Sequence, residues 1–191
     1  GWMVTIQLNT FTCKIPLPLK TGDSSERSVC YLKNFFSKAG RTVIVNNGYK
    51  PRLYTEKIAG LINEGFTNVI PVCDNPDELD HYEELIHKKR TCKIGLRMAT
   101  EEEPNFEFYT SRLGIRQSEV MPFYEQLLAN NPKFELKMLH FFVDIGIKDT
   151  IYYWSELKKG IKTYCQLRKV CPTLTALNIG GGMPIRNSLS F

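Results

Sequence analysis

Leu174-Thr-Ala-Leu-Asn-Ile-Gly-Gly-Gly-Met-Pro-Ile-Arg186 is the stretch whose reading decides the fold. Leu174 to Ile179 reads as a short apolar strand running straight into three glycines, Gly180, Gly181 and Gly182. With no Cβ in the way, a glycine run lets backbone N–H groups turn inward and approach a ligand. Successive N–H groups then form a nest that suits an anion, most often a phosphate. In a β/α architecture such a loop sits at the C-terminal end of its strand, where these folds build their sites. A tight turn with no ligand is the plain alternative, and three glycines alone do not separate the two.

Working back from that strand, the chain alternates. Leu136 to Val143 is a strand, and Asp149 to Lys169 is the longest helix, with Asp149 as its N-cap and Trp154, Leu157, Ile161, Tyr164 and Cys165 along one side. Thr42 to Asn46 is β-branched and continuous, as in a buried parallel strand. Pro51 opens a helix at its first position, with Tyr54, Ile58, Leu61 and Ile62 on one face and Gly65 closing it. The unit repeats: Asn68 to Cys73 is a strand, and Asn75 caps a helix with Leu79, Tyr82, Leu85 and Ile86 as its stripe. Early acids and the late Lys88, Lys89 and Arg90 complement that helix's dipole. Cys92 to Met98 is a further strand, and Val120, Phe123, Tyr124, Leu127 and Leu128 mark a helix after a polar segment. Val4 to Phe11 alternates weakly, as a strand would, and Val29 to Lys38 reads as a short helix.

Strands alternating with amphipathic helices predict βαβ units and a parallel sheet. About five units are visible, six with the first strand, so the expected fold is α/β, a partial (β/α) barrel of TIM type. A full barrel takes about 250 residues; this chain has 191. An open α/β sheet is the other arrangement of that length.

Composition narrows the function classes. Hydrophobic content is 42% and charged content 24%, which fits a globular chain with a core. No apolar run approaches the roughly 20 residues of a transmembrane helix, and the first residues lack the pattern of a signal peptide. The net charge of +5 is scattered among acids, which argues for a solvated surface and against a nucleic-acid footprint. The 6 cysteines form no CxxC pair, so no metal is expected, and reduced thiols in the cytoplasm fit them best.

Six segments occur in order: Val45-Asn-Asn-Gly-Tyr-Lys50, Val69-Ile-Pro-Val-Cys-Asp-Asn75, Gly95-Leu-Arg-Met-Ala-Thr100, Ser111-Arg-Leu-Gly-Ile115, Met138-Leu-His-Phe-Phe142 and Leu177-Asn-Ile-Gly-Gly-Gly-Met-Pro-Ile185. Together they resemble the pyridoxal-phosphate-dependent decarboxylases of the alanine-racemase-like barrel fold, and among them arginine decarboxylase. The resemblance covers about Arg41 to Leu189; residues 1–40 match poorly. It implies a barrel holding pyridoxal 5′-phosphate at its C-terminal mouth, with a C-terminal β domain lying beyond this chain. It also implies a cytoplasmic, head-to-tail homodimer that decarboxylates a basic amino acid in polyamine biosynthesis, with arginine the foremost substrate.

The resemblance assigns residues as well. Gly180, Gly181 and Gly182 match the phosphate loop, which agrees with the nest argument. Arg97 matches the arginine at the cofactor, where a guanidinium can hold an anion with paired donors. Arg112 matches a basic position near the site, with a structural ion pair as the alternative. Related enzymes carry a histidine that stacks on the cofactor where this chain has Phe142; the aromatic face can still stack but cannot titrate. His140 shares a strand side with Phe142, which can face it into the barrel interior as a cofactor-binding residue; a packed core histidine is the alternative. The family's Schiff-base lysine sits in a motif like Tyr-Cys-Thr-Lys, and the nearest match is Phe11-Thr-Cys-Lys14. The residues after Lys14 depart from that pattern, and the interval to Gly48 is short for the strand and helix the family has there. The alternative function is a non-catalytic barrel homologue acting as an interaction module; a general α/β phosphate-binding protein is a third reading.

Overall fold

β1 (Thr5–Leu8), β2 (Val43–Asn46) and β3 (Val69–Cys73) pair in parallel, with Ile6 opposite Ile44 and Ile44 opposite Val69. The computed structural model describes residues 5–8, 43–100, 113–143 and 150–180. They divide into two compact units, Gly1–Ile94 with Asn131–Glu135, and Gly95–Asn130 with Leu136–Phe191. The segments read above as the 29–38 helix and the stretch around Lys14 lie outside the described residues.

In the first unit the strand order is β1-β2-β3, followed by the start of β4 (Cys92–Arg97). Every residue of β3 is buried, as a strand covered on both faces must be. Cys73 and Cys92 are 0% exposed, as their apolar runs predict, and burial pushes both thiols up, Cys92 to about 12.

Helix α1 (Arg52–Asn63) buries Thr55, Ile58, Ala59, Leu61 and Ile62. Pro51 sits at its N-cap, one place before the first helical residue and not at it as expected. The C-terminus closes as a Schellman motif: Gly65 N–H donates to Ile62 O and Phe66 N–H to Leu61 O, with Gly65 at φ +99°.

Helix α2 (Asp77–Leu85) is capped by Asn75, whose Oδ1 accepts from the Glu78 N–H at 3.2 Å. It ends at Leu85, so Lys88, Lys89 and Arg90 do not lie in its last turn as expected. The cause is visible across the helix pair. Asn63 donates to Leu85 O and accepts from the His87 N–H, which peels the chain out of the helix. Lys50, just beyond β2, is fully buried; its Nζ donates to Gly48 O and Val72 O and pairs with Glu78 at 2.8 Å. Burial raises the Glu78 carboxyl's pKa and the Lys50 charge opposes it.

In the second unit the order is β4-β5-β6, with β5 at Phe134–His140 and β6 at Ala176–Asn178. β5 and β6 are parallel, Met138 opposite Ala176 and His140 opposite Asn178. The segment between β4 and β5 winds through three registers, a 3-10 turn at Gln117–Glu119, an α turn α3 at Val120–Phe123 and a π turn at Tyr124–Leu128. Pro122 lies inside it and has no N–H for a regular ladder. Val120, Phe123 and Leu128 face inward as predicted, while Leu127 is 40% exposed.

Helix α4 (Thr150–Val170) corrects one expectation outright. Its buried face is Tyr153, Glu156, Gly160, Thr163 and Leu167. The expected side is turned away, with Trp154 62% and Ile161 45% exposed and Cys165 also exposed. Polar groups hold the inward positions because each is satisfied there. Glu156 accepts from Lys159 Nζ at 2.8 Å, and Thr163 Oγ1 from Gln117 Nε2 at 2.9 Å.

Parallel strands that neighbour their sequence neighbours and alternate with helices make the chain an α/β fold, a partial (β/α) barrel of TIM type. Six strands belong to it among the described residues.

Candidate cofactor site

Three strands of the second unit end close together in hydrogen-bonded register, and each end carries a polar side chain. Arg97 ends β4, His140 ends β5 and Asn178 ends β6. The backbone ties them: Met98 N–H donates to His140 O at 2.7 Å, and Phe141 N–H to Asn178 O at 3.0 Å. These are C-terminal strand ends, the end at which (β/α) folds place their sites.

Arg97 is 9% exposed. The short segment 113–115 lies beside it as a parallel bridge, Ile115 N–H donating to Arg97 O at 2.7 Å and Ala99 N–H to Ile115 O at 2.9 Å. Gly114 makes that approach possible. It has φ +103°, and a Cβ there would meet Ala99 N at 2.8 Å and Arg97 Cγ at 3.1 Å.

His140 is 0% exposed. Its Nδ1 lies 3.2 Å from Asn178 O. A carbonyl can only accept, so Nδ1 carries the proton and Nε2 is the ring's acceptor. Burial first, and the Arg97 charge second, bring the imidazole's pKa down to about 4. At neutral pH it is an uncharged ring beside a cation.

Gly180 has φ +66° and sits where no side chain fits. A Cβ there would lie 2.9 Å from Phe141 O and 2.9 Å from Phe142 Cδ2. The half-buried Phe142 ring therefore lies against the start of the glycine run. The Gly180 N–H donates to Asn178 Oδ1 at 2.9 Å.

Of the residues singled out in the sequence, Arg97, His140, Phe142 and Gly180 come together in this unit. Lys14, Arg112, Gly181 and Gly182 lie outside the described residues. Asn178 was not singled out, although it stands inside the quoted glycine motif. Among the described residues no group of three His, Cys, Asp or Glu side chains converges as a metal site. A cavity of ≈ 190 Å³ in the first unit, lined by Ile62, Phe66, Val69 and Arg90 among others, shares no residue with this cluster.

The cluster's chemistry is specific: a guanidinium for an anion, a neutral imidazole, an aromatic face and a backbone bend free of side chains. A planar, phosphorylated molecule is one ligand that such a set can take.

Comparison with known proteins gives the class. Residues 36–189 match the family model described as pyridoxal-dependent decarboxylase, pyridoxal binding domain. The chain belongs to that family, and its cofactor is pyridoxal 5′-phosphate. The relatives are more particular. The chain is 27% identical over 150 residues to a biosynthetic arginine decarboxylase from Prochlorococcus marinus, covering 75% of this chain and 23% of that enzyme. A biosynthetic arginine decarboxylase from a Geobacter species is 28% identical over 151 residues, covering 74% of this chain and 23% of its own length. The chain thus spans about a quarter of the curated relatives it matches. Solved structures share the fold. The biosynthetic arginine decarboxylase of Campylobacter jejuni superposes with TM-score 0.59 at 22% identity, over 85% of this chain and 26% of that one. The alanine racemase of Clostridium difficile 630 superposes with TM-score 0.60 at 10% identity, over 81% and 38%.

Proposed function

We propose that this chain is the cofactor-binding part of a pyridoxal-phosphate-dependent decarboxylase of a basic amino acid, with arginine as the substrate. The observation that carries this reading is the convergence of Arg97, His140 and Gly180 at neighbouring strand ends of one unit, in a chain of the pyridoxal-binding family. Arginine is preferred because the matched relatives are biosynthetic arginine decarboxylases. A cytoplasmic homodimer serving polyamine biosynthesis is part of the same proposal and comes from the family resemblance alone. Among the described residues no helix is long and apolar enough to cross a membrane.

Bound pyridoxal phosphate supplies an electron sink for loss of carboxylate from the α-carbon. The chain's own residues do the rest. The loop of Gly180, Gly181 and Gly182 would hold the phosphate, with Gly181 and Gly182 supplying the main-chain donors, and Arg97 would hold an anionic oxygen. Phe142 sets the ring plane by stacking. His140, neutral and fixed by Asn178 O, offers Nε2 as an acceptor without adding a charge against Arg97. Lys14 is the proposed attachment lysine.

The test is absorbance titration with pyridoxal phosphate, followed by carbon dioxide release from arginine, ornithine and lysine. A saturable cofactor band with release fastest from arginine is expected. Release fastest from another basic amino acid changes the substrate and keeps the class. No cofactor band under excess cofactor leaves the interaction module as the function. The Gly180 N–H bonded to its own Asn178 favours that second reading, since it removes one amide from the phosphate.

A further inference from the structure

Lys88, Lys89, Arg90 and Lys93 fall within one short run with no acid between them. Because α2 ends at Leu85, its dipole does not account for them, for that field fades within the last turn. The run instead folds against the end of α1. Asn63 holds the His87 N–H, and the Arg90 N–H donates to His87 O at 2.9 Å, which closes a turn. The Arg90 guanidinium lies over the Gly65 bend: a Cβ on Gly65 would be 3.4 Å from Arg90 Nη2. Lys93 is tied to the same place, its Nζ donating to Thr67 O at 2.9 Å.

The cations therefore stand around a concavity. The ≈ 190 Å³ cavity has Ile62, Phe66 and Val69 as its apolar floor and Lys89, Arg90 and Lys93 at its rim. A second hollow of ≈ 660 Å³ shares Lys89 and Arg90 and adds His87 and Lys88. Among the described residues no acid lines either hollow, and Lys88, Lys89 and Arg90 have no carboxylate partner. A hollow lined by one sign of charge focuses the field and concentrates counter-ions there. An evenly solvated surface would have interspersed acids. Arginine's planar fork meets oxyanions with paired donors, and three cations around one hollow suit a doubly charged group better than a single carboxylate. We propose that this hollow is a binding site for a small phosphorylated molecule, its phosphate held by Lys89, Arg90 and Lys93 and its body resting on Ile62, Phe66 and Val69. The site is independent of the cofactor cluster. Val69 and Lys93 lie at the starts of β3 and β4, whereas Arg97, His140 and Asn178 lie at strand ends.

Titration of the ¹⁵N-labelled full chain at low salt tests this, with inorganic phosphate, inorganic pyrophosphate and a short single-stranded RNA added separately. The backbone amides of Gly65, Thr67, Arg90 and Thr91 shift saturably with phosphate and with pyrophosphate, and added salt weakens both, as for any rim exposed to solvent. The double variant Lys89→Gln/Arg90→Gln weakens pyrophosphate binding by about tenfold or more, the scale of one lost hydrogen bond to a charged group. Lys158→Gln/Lys162→Gln removes the same charge from exposed positions of α4 and leaves that binding unchanged. No saturable shift at the four amides overturns the inference. An equal loss in the two double variants overturns it too, since net charge alone would then hold the anion. RNA that saturates the same amides at lower concentration than pyrophosphate overturns the ligand class. The wild-type titration decides the matter even if a variant fails to fold.

Discussion

His140 has no solvent on it, hydrogen-bonds through Nδ1 to Asn178 O and feels the Arg97 charge. Its folded pKa of about 4 lies below the unfolded value of 6.5. The folded state therefore excludes a proton that the unfolded state accepts, and stability rises with pH through this window. The contribution is whole above pH 6.5 and is lost as pH falls toward 4. At 1.36 kcal/mol per unit the loss is on the order of 3 kcal/mol. Thermal melts between pH 7 and 4 should show a drop in Tm that His140→Gln reduces. A wild-type profile flat down to pH 4.5 would contradict the burial assigned to this ring. Sequence parity put His140 on Phe142's side of the strand, which gave it an interior position. It gave no sign of the Asn178 carbonyl, because that contact joins residues 38 positions apart.

At the scale of elements, α4 shows where apolar counting fails. Trp154, Leu157 and Ile161 make a plausible inner stripe, but the helix turns Glu156, Gly160 and Thr163 inward instead. Each polar inner residue has a partner that a sequence pattern cannot reveal, Lys159 for Glu156 and Gln117 for Thr163. Gly160 is inward for reasons of space. A Cβ there would lie 2.5 Å from Phe141 Cε1, so the Phe141 ring packs directly on the helix backbone. Gly160→Ala should gain about 1 kcal/mol of helix propensity and still destabilise by about 1–3 kcal/mol through overpacking. Ile161→Ala, on the exposed side, should change stability by no more than about 0.5 kcal/mol. Urea unfolding of the two variants checks this; a stabilised Gly160→Ala, or a larger cost at Ile161, would restore the stripe read from sequence. The helix end at Leu85 teaches the same lesson, since Asn63 reaches from the neighbouring helix to terminate α2.

For the whole molecule, the strand–helix alternation was readable because parallel strands covered on both faces are apolar runs, as 43–45 and 69–73 are, while 92–97 carries Lys93 and Arg97 among its apolar residues. Helix punctuation was readable too: Gly65 and Asn75 act locally, through φ and a side-chain cap. That Arg97, His140, Phe142 and Gly180 lie near one another was readable too, because they fall at or just past strand ends that the alternation sets. The His140–Asn178 contact was not, since it joins strands far apart in sequence. The account stands on one claim, that the glycine run after β6 holds the phosphate of pyridoxal phosphate with Arg97 alongside. Crystallising the chain with the cofactor measures it directly. The account predicts phosphate density within hydrogen-bonding reach of Gly181, Gly182 and Arg97, with the pyridine ring against Phe142. Phosphate bound away from that loop, or none at saturating cofactor, would contradict it.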